Sequence, residues 1–256
     1  MKRTRLPPGP GQFAAIFRNS GLDHAETIPI AAPWAVEEGA GKLENALVAP
    51  PRATWHGHTS LPPVSSQLPY NTCVSHAACR MVETWARQHA TTVSLDAECL
   101  HQCIYGFDCM QPSDNASDVL LAMLAKGVPR RQGFVPRQAC PAPLDAYVTP
   151  RIKRIGSSDE AKEHIATHGP VIAILTLGQD FEHLRTPAVY ADPPSASPTF
   201  NHAVLIVGYD DNFEGGSWHC QNSFGAGWGA AGYFWLRYGS GGFLQDDDHA
   251  GFCARY

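Results

Sequence analysis

Val74, Ala77, Ala78, Met81, Val82 and Trp85 fall at i, i+3, i+4, i+7, i+8 and i+11. That spacing lays one apolar stripe along a helix. It predicts a helix from Cys73 to about His89, with Asn71 or Thr72 as its N-cap. A short helix is expected over Leu95–Cys103 and another from about Ser117 to Lys126, where Gly127 supplies the stop. Ser157-x-x-Glu160 is a capping box, opening a helix that ends at Gly169. Beyond Gly169 the pattern changes. Pro170–Thr176 reads as a buried strand, and further strands are predicted over 201–209, 217–223, 232–238 and about 250–256, joined by turns rich in Gly and Asp. A helical first half followed by a strand-rich second half implies an α+β protein of two lobes with a cleft between them.

The first 69 residues break this regularity. They hold ten of the 21 prolines and show no sustained helical period, as an extended arm or leader does. The expected division is a Pro/Gly-rich extension over residues 1–52 (arm, leader or short pro-segment) and one folded domain over 53–256. Met1-Lys2-Arg3-Thr4-Arg5 is positive like the start of an export signal. Pro and Gly then interrupt the chain where an apolar run of about 7–15 residues is required. The expectation is no signal peptide, a cytoplasmic location and, by default, reduced thiols.

Composition narrows the function classes. Of 256 residues 44% are hydrophobic, enough for a packed interior, and the net charge is −5 with no block of Lys or Arg. Nucleic-acid binding has no electrostatic footprint here. No apolar run approaches the ~18 residues of a membrane span, so no membrane partner is expected. The eight cysteines are too unevenly placed for a disulfide scaffold. Cys99, Cys103 and Cys109 with His101 fit no common zinc spacing, so no metal is expected.

The candidate chemistry is spread along the chain. Cys73 opens the first predicted helix, where unpaired N–H groups and the helix dipole favour a negative sulfur. His202 stands in Asn201-His202-Ala203-Val204-Leu205-Ile206-Val207, where the strand that follows should fix its ring at the edge of a sheet. Asn222 can accept from one ring nitrogen and leave the other facing the sulfur. Phe224 and Trp228 would shield that bond from water. Nucleophile, base and orienting amide together make a machine for thiol acyl chemistry. Among twelve histidines, His76 suits packing better than proton transfer, and Cys79, further along the helix, reads as structural.

Four blocks carry a resemblance to the papain-like cysteine peptidases, covering roughly residues 53–256. They are Gln67 to Cys73; Gly169-Pro170-Val171 leading to Asp180-Phe181; Asn201-His202-Ala203-Val204 with Val207-Gly208-Tyr209; and Asn222-Ser223-Phe224-Gly225 with Gly227-Trp228-Gly229. The separations of 129 residues from Cys73 to His202 and 149 to Asn222 match that family's layout. The resemblance implies a two-lobe fold: a helical left lobe, an antiparallel sheet or barrel-like right lobe, and the active site in the cleft. It also implies Gln67 as oxyanion donor, a Cys103–Cys140 disulfide, no cofactor, and a peptide or protein substrate met by a monomer. Tyr70 stands where the family's partner for Cys109 would be. Three positions depart from the pattern: Val74 and Phe224 each replace a usual Trp, and Met110-Gln111-Pro112-Ser113 replaces the Asn-Gly-Gly that binds substrate backbone. The altered glycine region keeps open an acyl or peptidyl transferase using the same triad; the alternative from another class is a retired peptide-binding protein, though neither Cys73 nor His202 is lost.

Overall fold

The computed structural model describes residues 49–112, 116–142, 144–148, 150–184, 189–192 and 199–255. The N-terminal extension therefore lies, up to residue 48, outside the described residues.

The elements run β1 (Arg52–Thr54), α1 (Cys73–Gln88), α2 (Ala97–Cys99), α3 (Ala116–Lys126), β2 (Val128–Pro129), β3 (Ala146–Tyr147), β4 (Arg151–Ile155), α4 (Ser158–Thr167), β5 (Val171–Gly178), β6 (Val189–Tyr190), β7 (Thr199–Asp210), β8 (Ser217–Gln221), β9 (Tyr233–Arg237) and β10 (Gly251–Arg255). The apolar stripe becomes the buried face of α1, with Val74, Ala77, Ala78, Met81, Val82 and Ala86 all buried. The helix predicted over Leu95–Cys103 starts two residues later, at Ala97. Leu95 instead gives its N–H to Glu83 Oε1 at 2.7 Å and bridges to Arg130. Asp96 caps α2 by accepting from Cys99 N–H at 3.0 Å, and the chain then widens into a π turn over Leu100–Tyr105.

Strand order in the eight-stranded sheet is β4-β10-β5-β7-β8-β9-β6, with β1 pairing on β7 off that path. Neighbours are antiparallel except β6 on β9. β7 is thus a central strand, and α1 and α4 both pack against it. That explains why its residues from His202 to Tyr209 are buried without alternation. Gly208 is required by a close approach, since a Cβ there would lie 2.6 Å from the Ala53 carbonyl oxygen and push β1 away. Ala161 and Ile165 of α4 join Val171, Ala173, Val204 and Ile206 in one apolar core. β4, absent from the sequence reading, is the sheet's edge strand. Its Arg151-Ile152-Lys153-Arg154-Ile155 turns both isoleucines inward and its charges outward, a common protection for an open edge.

Cys103 and Cys140 form a disulfide with Cα atoms 5.6 Å apart, so this pair departs from the reduced default and Cys103 is not a metal ligand. Cys109 is a free, buried thiol. Among the described residues no helix is long and apolar enough to cross a membrane.

Candidate active site

Cys73 is the first residue of α1, and Thr72 before it makes no side-chain cap. No acidic residue stands in the first turn. The helix N-terminus is therefore left without a competing oxygen, and its donors are available to the sulfur. The N–H groups of Ala203, Val74 and Cys73 itself all favour a negative charge on Sγ. Burial works against them and raises the thiol above its ordinary value, the N–H groups offsetting only part of that. The Ala203 contact sets the nucleophile beside the residue that follows His202.

His202 does not sit at the edge of the sheet. It lies inside the central strand β7, opposite Leu175 of β5, and is buried. Its Nε2 is 2.8 Å from Asn222 Oδ1. With Nε2–H donating there, Nδ1 keeps a lone pair that can accept a proton. Burial pushes His202 down to about 4, with the Asn222 hydrogen bond pulling the other way. Taken singly, a charge on either partner is disfavoured: desolvation keeps the thiol protonated and the imidazole neutral. A proton moved from Sγ to Nδ1 would create both charges together, each stabilising the other.

Asn222 follows the last residue of β8. Its own N–H donates to the Gly232 carbonyl at 2.9 Å, and Oδ1 also accepts from Ser223 N–H at 2.8 Å. Gln67 is tied to the same turn. Its N–H donates to the Ser223 carbonyl at 2.8 Å, and its Oε1 accepts from the Ser223 hydroxyl at 2.5 Å. One Nε2 hydrogen of Gln67 goes to the Tyr70 carbonyl at 2.9 Å, and the amide carries a second. Ser223 is thus the link that sequence reasoning missed. It was readable only as part of the Asn-Ser block.

Phe224 packs directly on His202, ring centroids 4.9 Å apart, while Trp228 stands behind it, 5.6 Å from Phe224. Trp228 is pinned by its indole N–H, which donates to the Glu182 carbonyl at 3.0 Å. Phe181 and Phe200, each 5.9 Å from the His202 ring, complete the aromatic surround. The alternation Phe200-x-His202 was a legible sign for one of them; Phe181 was readable only as the end of the block that runs from Gly169 to Asp180-Phe181. Among the described residues no group of three His, Cys, Asp or Glu side chains could hold a metal.

The chain has counterparts among known proteins. A sequence model of the papain family of cysteine proteases matches residues 49–247. A cathepsin L-like protein of Caenorhabditis elegans is 38% identical over 79 residues, 30% of this chain and 23% of that protein. Fruit bromelain of Ananas comosus is 24% identical over 196 residues, 74% of this chain and 55% of the relative. The chain thus spans about half, or less, of the length of these curated relatives. Among solved structures, procathepsin L 3 from the larval midgut of Tenebrio molitor superposes with a TM-score of 0.66 at 20% identity, covering 81% of this chain and 70% of that one. Bromelain from Ananas comosus in complex with the E64 inhibitor gives 0.64 at 19% identity, covering 80% and 98%. Both share the two-lobe α+β fold.

Proposed function

The chain belongs to the papain family of cysteine proteases, and from that premise we propose that it is a cysteine peptidase hydrolysing peptide or amide bonds through a thioacyl intermediate on Cys73. His202 Nδ1 takes the Sγ proton as the sulfur attacks the scissile carbonyl carbon. The Cys73 N–H and the second Nε2 hydrogen of Gln67 stabilise the resulting oxyanion. The imidazolium then protonates the leaving amine as the C–N bond breaks. In the second half, His202 accepts a proton from water, the oxygen attacks the thioester, and Sγ leaves as thiolate. Asn222 holds the ring in register throughout, and Phe224 and Trp228 keep water from its hydrogen bond.

The observation that carries this reading is the 2.8 Å bond from His202 to Asn222 on the strand whose next N–H reaches the sulfur of Cys73. The substrate we infer is a peptide or protein. The Cys103–Cys140 disulfide favours an oxidising compartment over the cytoplasm. The test is product identification from a peptide library, with Cys73→Ala beside the wild type. Cleaved products that vanish in Cys73→Ala are expected. Ligated products at low amine concentration would replace hydrolysis by transfer, and products that persist in Cys73→Ala would end both readings.

A further inference from the structure

A second polar chain, unused by the triad chemistry, lies close to Asn222. Ser65 Oγ is 2.8 Å from His76 Nδ1, and His76 Nε2 is 2.9 Å from Glu98 Oε1. His76 is buried on α1. Burial pushes the Glu98 carboxyl up, but its contacts with His76 outweigh that and hold Glu98 below its ordinary value. An ionised Glu98 can only accept, so the Nε2–H of His76 donates to it. In the tautomer that carries its one hydrogen there, Nδ1 accepts and the Ser65 hydroxyl donates to it. With its one proton committed, Ser65 Oγ can offer any other neighbour only lone pairs.

Beside this chain is a small cavity whose lining includes Ser65, His76, Arg80, Ala203 and Asn222. Two of the lining side chains carry buried N–H donors without a hydrogen-bond partner, Asn222 Nδ2 and Arg80 Nε. Nearly all such groups in native proteins are paired, with protein or with ordered water. The cavity is about the size of one water molecule. A water accepting from both N–H groups and donating to Ser65 Oγ would satisfy all three within the four bonds a water makes.

We propose that this cavity holds one ordered water through which Ser65, aligned by His76 and Glu98, fixes the side-chain amide of Asn222, making Ser65 and His76 positioning residues for the base. The inference rests on the peptidase reading above. Oδ1 of Asn222 is already held by His202 and Ser223; the water holds the other end. Anchoring Nδ2 stops the amide from turning over, which would present N–H in place of oxygen to the Nε2–H of His202 and misalign the ring.

Two experiments test this on the full chain. A high-resolution crystal structure of the wild type is expected to show a water within hydrogen-bond distance of Ser65 Oγ, Asn222 Nδ2 and Arg80 Nε. No density there overturns the proposal whether or not the protein is active. In kinetics, Ser65→Ala is expected to lower kcat about fivefold, roughly the worth of one neutral hydrogen bond, with KM unchanged, while Ser65→Thr keeps the wild-type rate. Placed in an Asn222→Ala background, Ser65→Ala should cost nothing further, because its effect passes through that amide. An equal loss in both backgrounds makes Ser65 merely structural and overturns the proposal. Absence of Cys73-dependent turnover in the wild type is instead a failure of the peptidase reading, and the water density then decides alone.

Discussion

Burial among aromatic side chains pushes His202 down to about 4 from its ordinary 6.5, despite the Asn222 hydrogen bond. Because the base must be neutral to take the Cys73 proton, activity is lost as pH falls through the folded value. The acid limb of kcat/KM is therefore expected near pH 4, and a limb at 6.5 would mean that the ring is solvated during turnover. Phe181, Phe200, Phe224 and Asn222 surround the ring and carry no charge, so the Cys73 sulfur is the group that can move this limb. At this scale the roles proposed for Cys73, His202, Asn222 and Gln67 were legible because each sits in a local pattern that suggests its task. Ser223, Phe181 and Ser65 were not. Their roles come from contacts across 156 residues, as between Ser223 and Gln67, or from a ring brought in by an unrelated segment.

Elements were legible where apolar spacing decided them. The stripe from Val74 to Trp85 becomes α1, and the run after Gly169 becomes β5. They were missed where another force decided. β4 carries three cations and is fixed by its place at the sheet edge, while β1, β2, β3 and β6 are too short to show a period. The Ser157 cap is present, its hydroxyl accepting from Glu160 N–H at 3.2 Å, but the Glu160 carboxylate reaches the Gly156 N–H at 2.6 Å rather than that of Ser157. Ser157→Ala is expected to destabilise the protein by about 1 kcal/mol, read from denaturant unfolding, with kcat unchanged. A loss of activity at equal stability would instead tie α4 to the site. The contrast with α1 is instructive: α4 has a side-chain cap and α1 has none, and the uncapped helix is the one that presents the nucleophile.

Among the described residues burial lowers four histidines, His101 among them. Burial pushes His164, His202 and His219 each to about 4. Between their ordinary 6.5 and that value the unfolded chain binds protons that the folded chain refuses, so stability falls as pH drops across this window. Below it, these groups add no further change. Glu98, Glu160 and Asp211 are held below their ordinary values, so their contribution is lost at still lower pH. A thermal midpoint falling steadily from about pH 6.5 to about pH 4 is expected; a flat midpoint over that range would mean the rings are hydrated. The two-lobe architecture was legible from the switch of helical to strand patterning, but the sheet order was not, because strand pairing depends on contacts between distant segments. That order brings β7, carrying His202, against α1, carrying Cys73, and the most direct measurement asks whether the two act together. An activated peptide ester is mixed with the protein for a single turnover, quenched in acid and mapped by mass spectrometry. The acyl group is expected on Cys73 in the wild type and nearly absent in His202→Ala; an adduct on another cysteine, or equal labelling of Cys73 in both proteins, would contradict a nucleophile activated by that base.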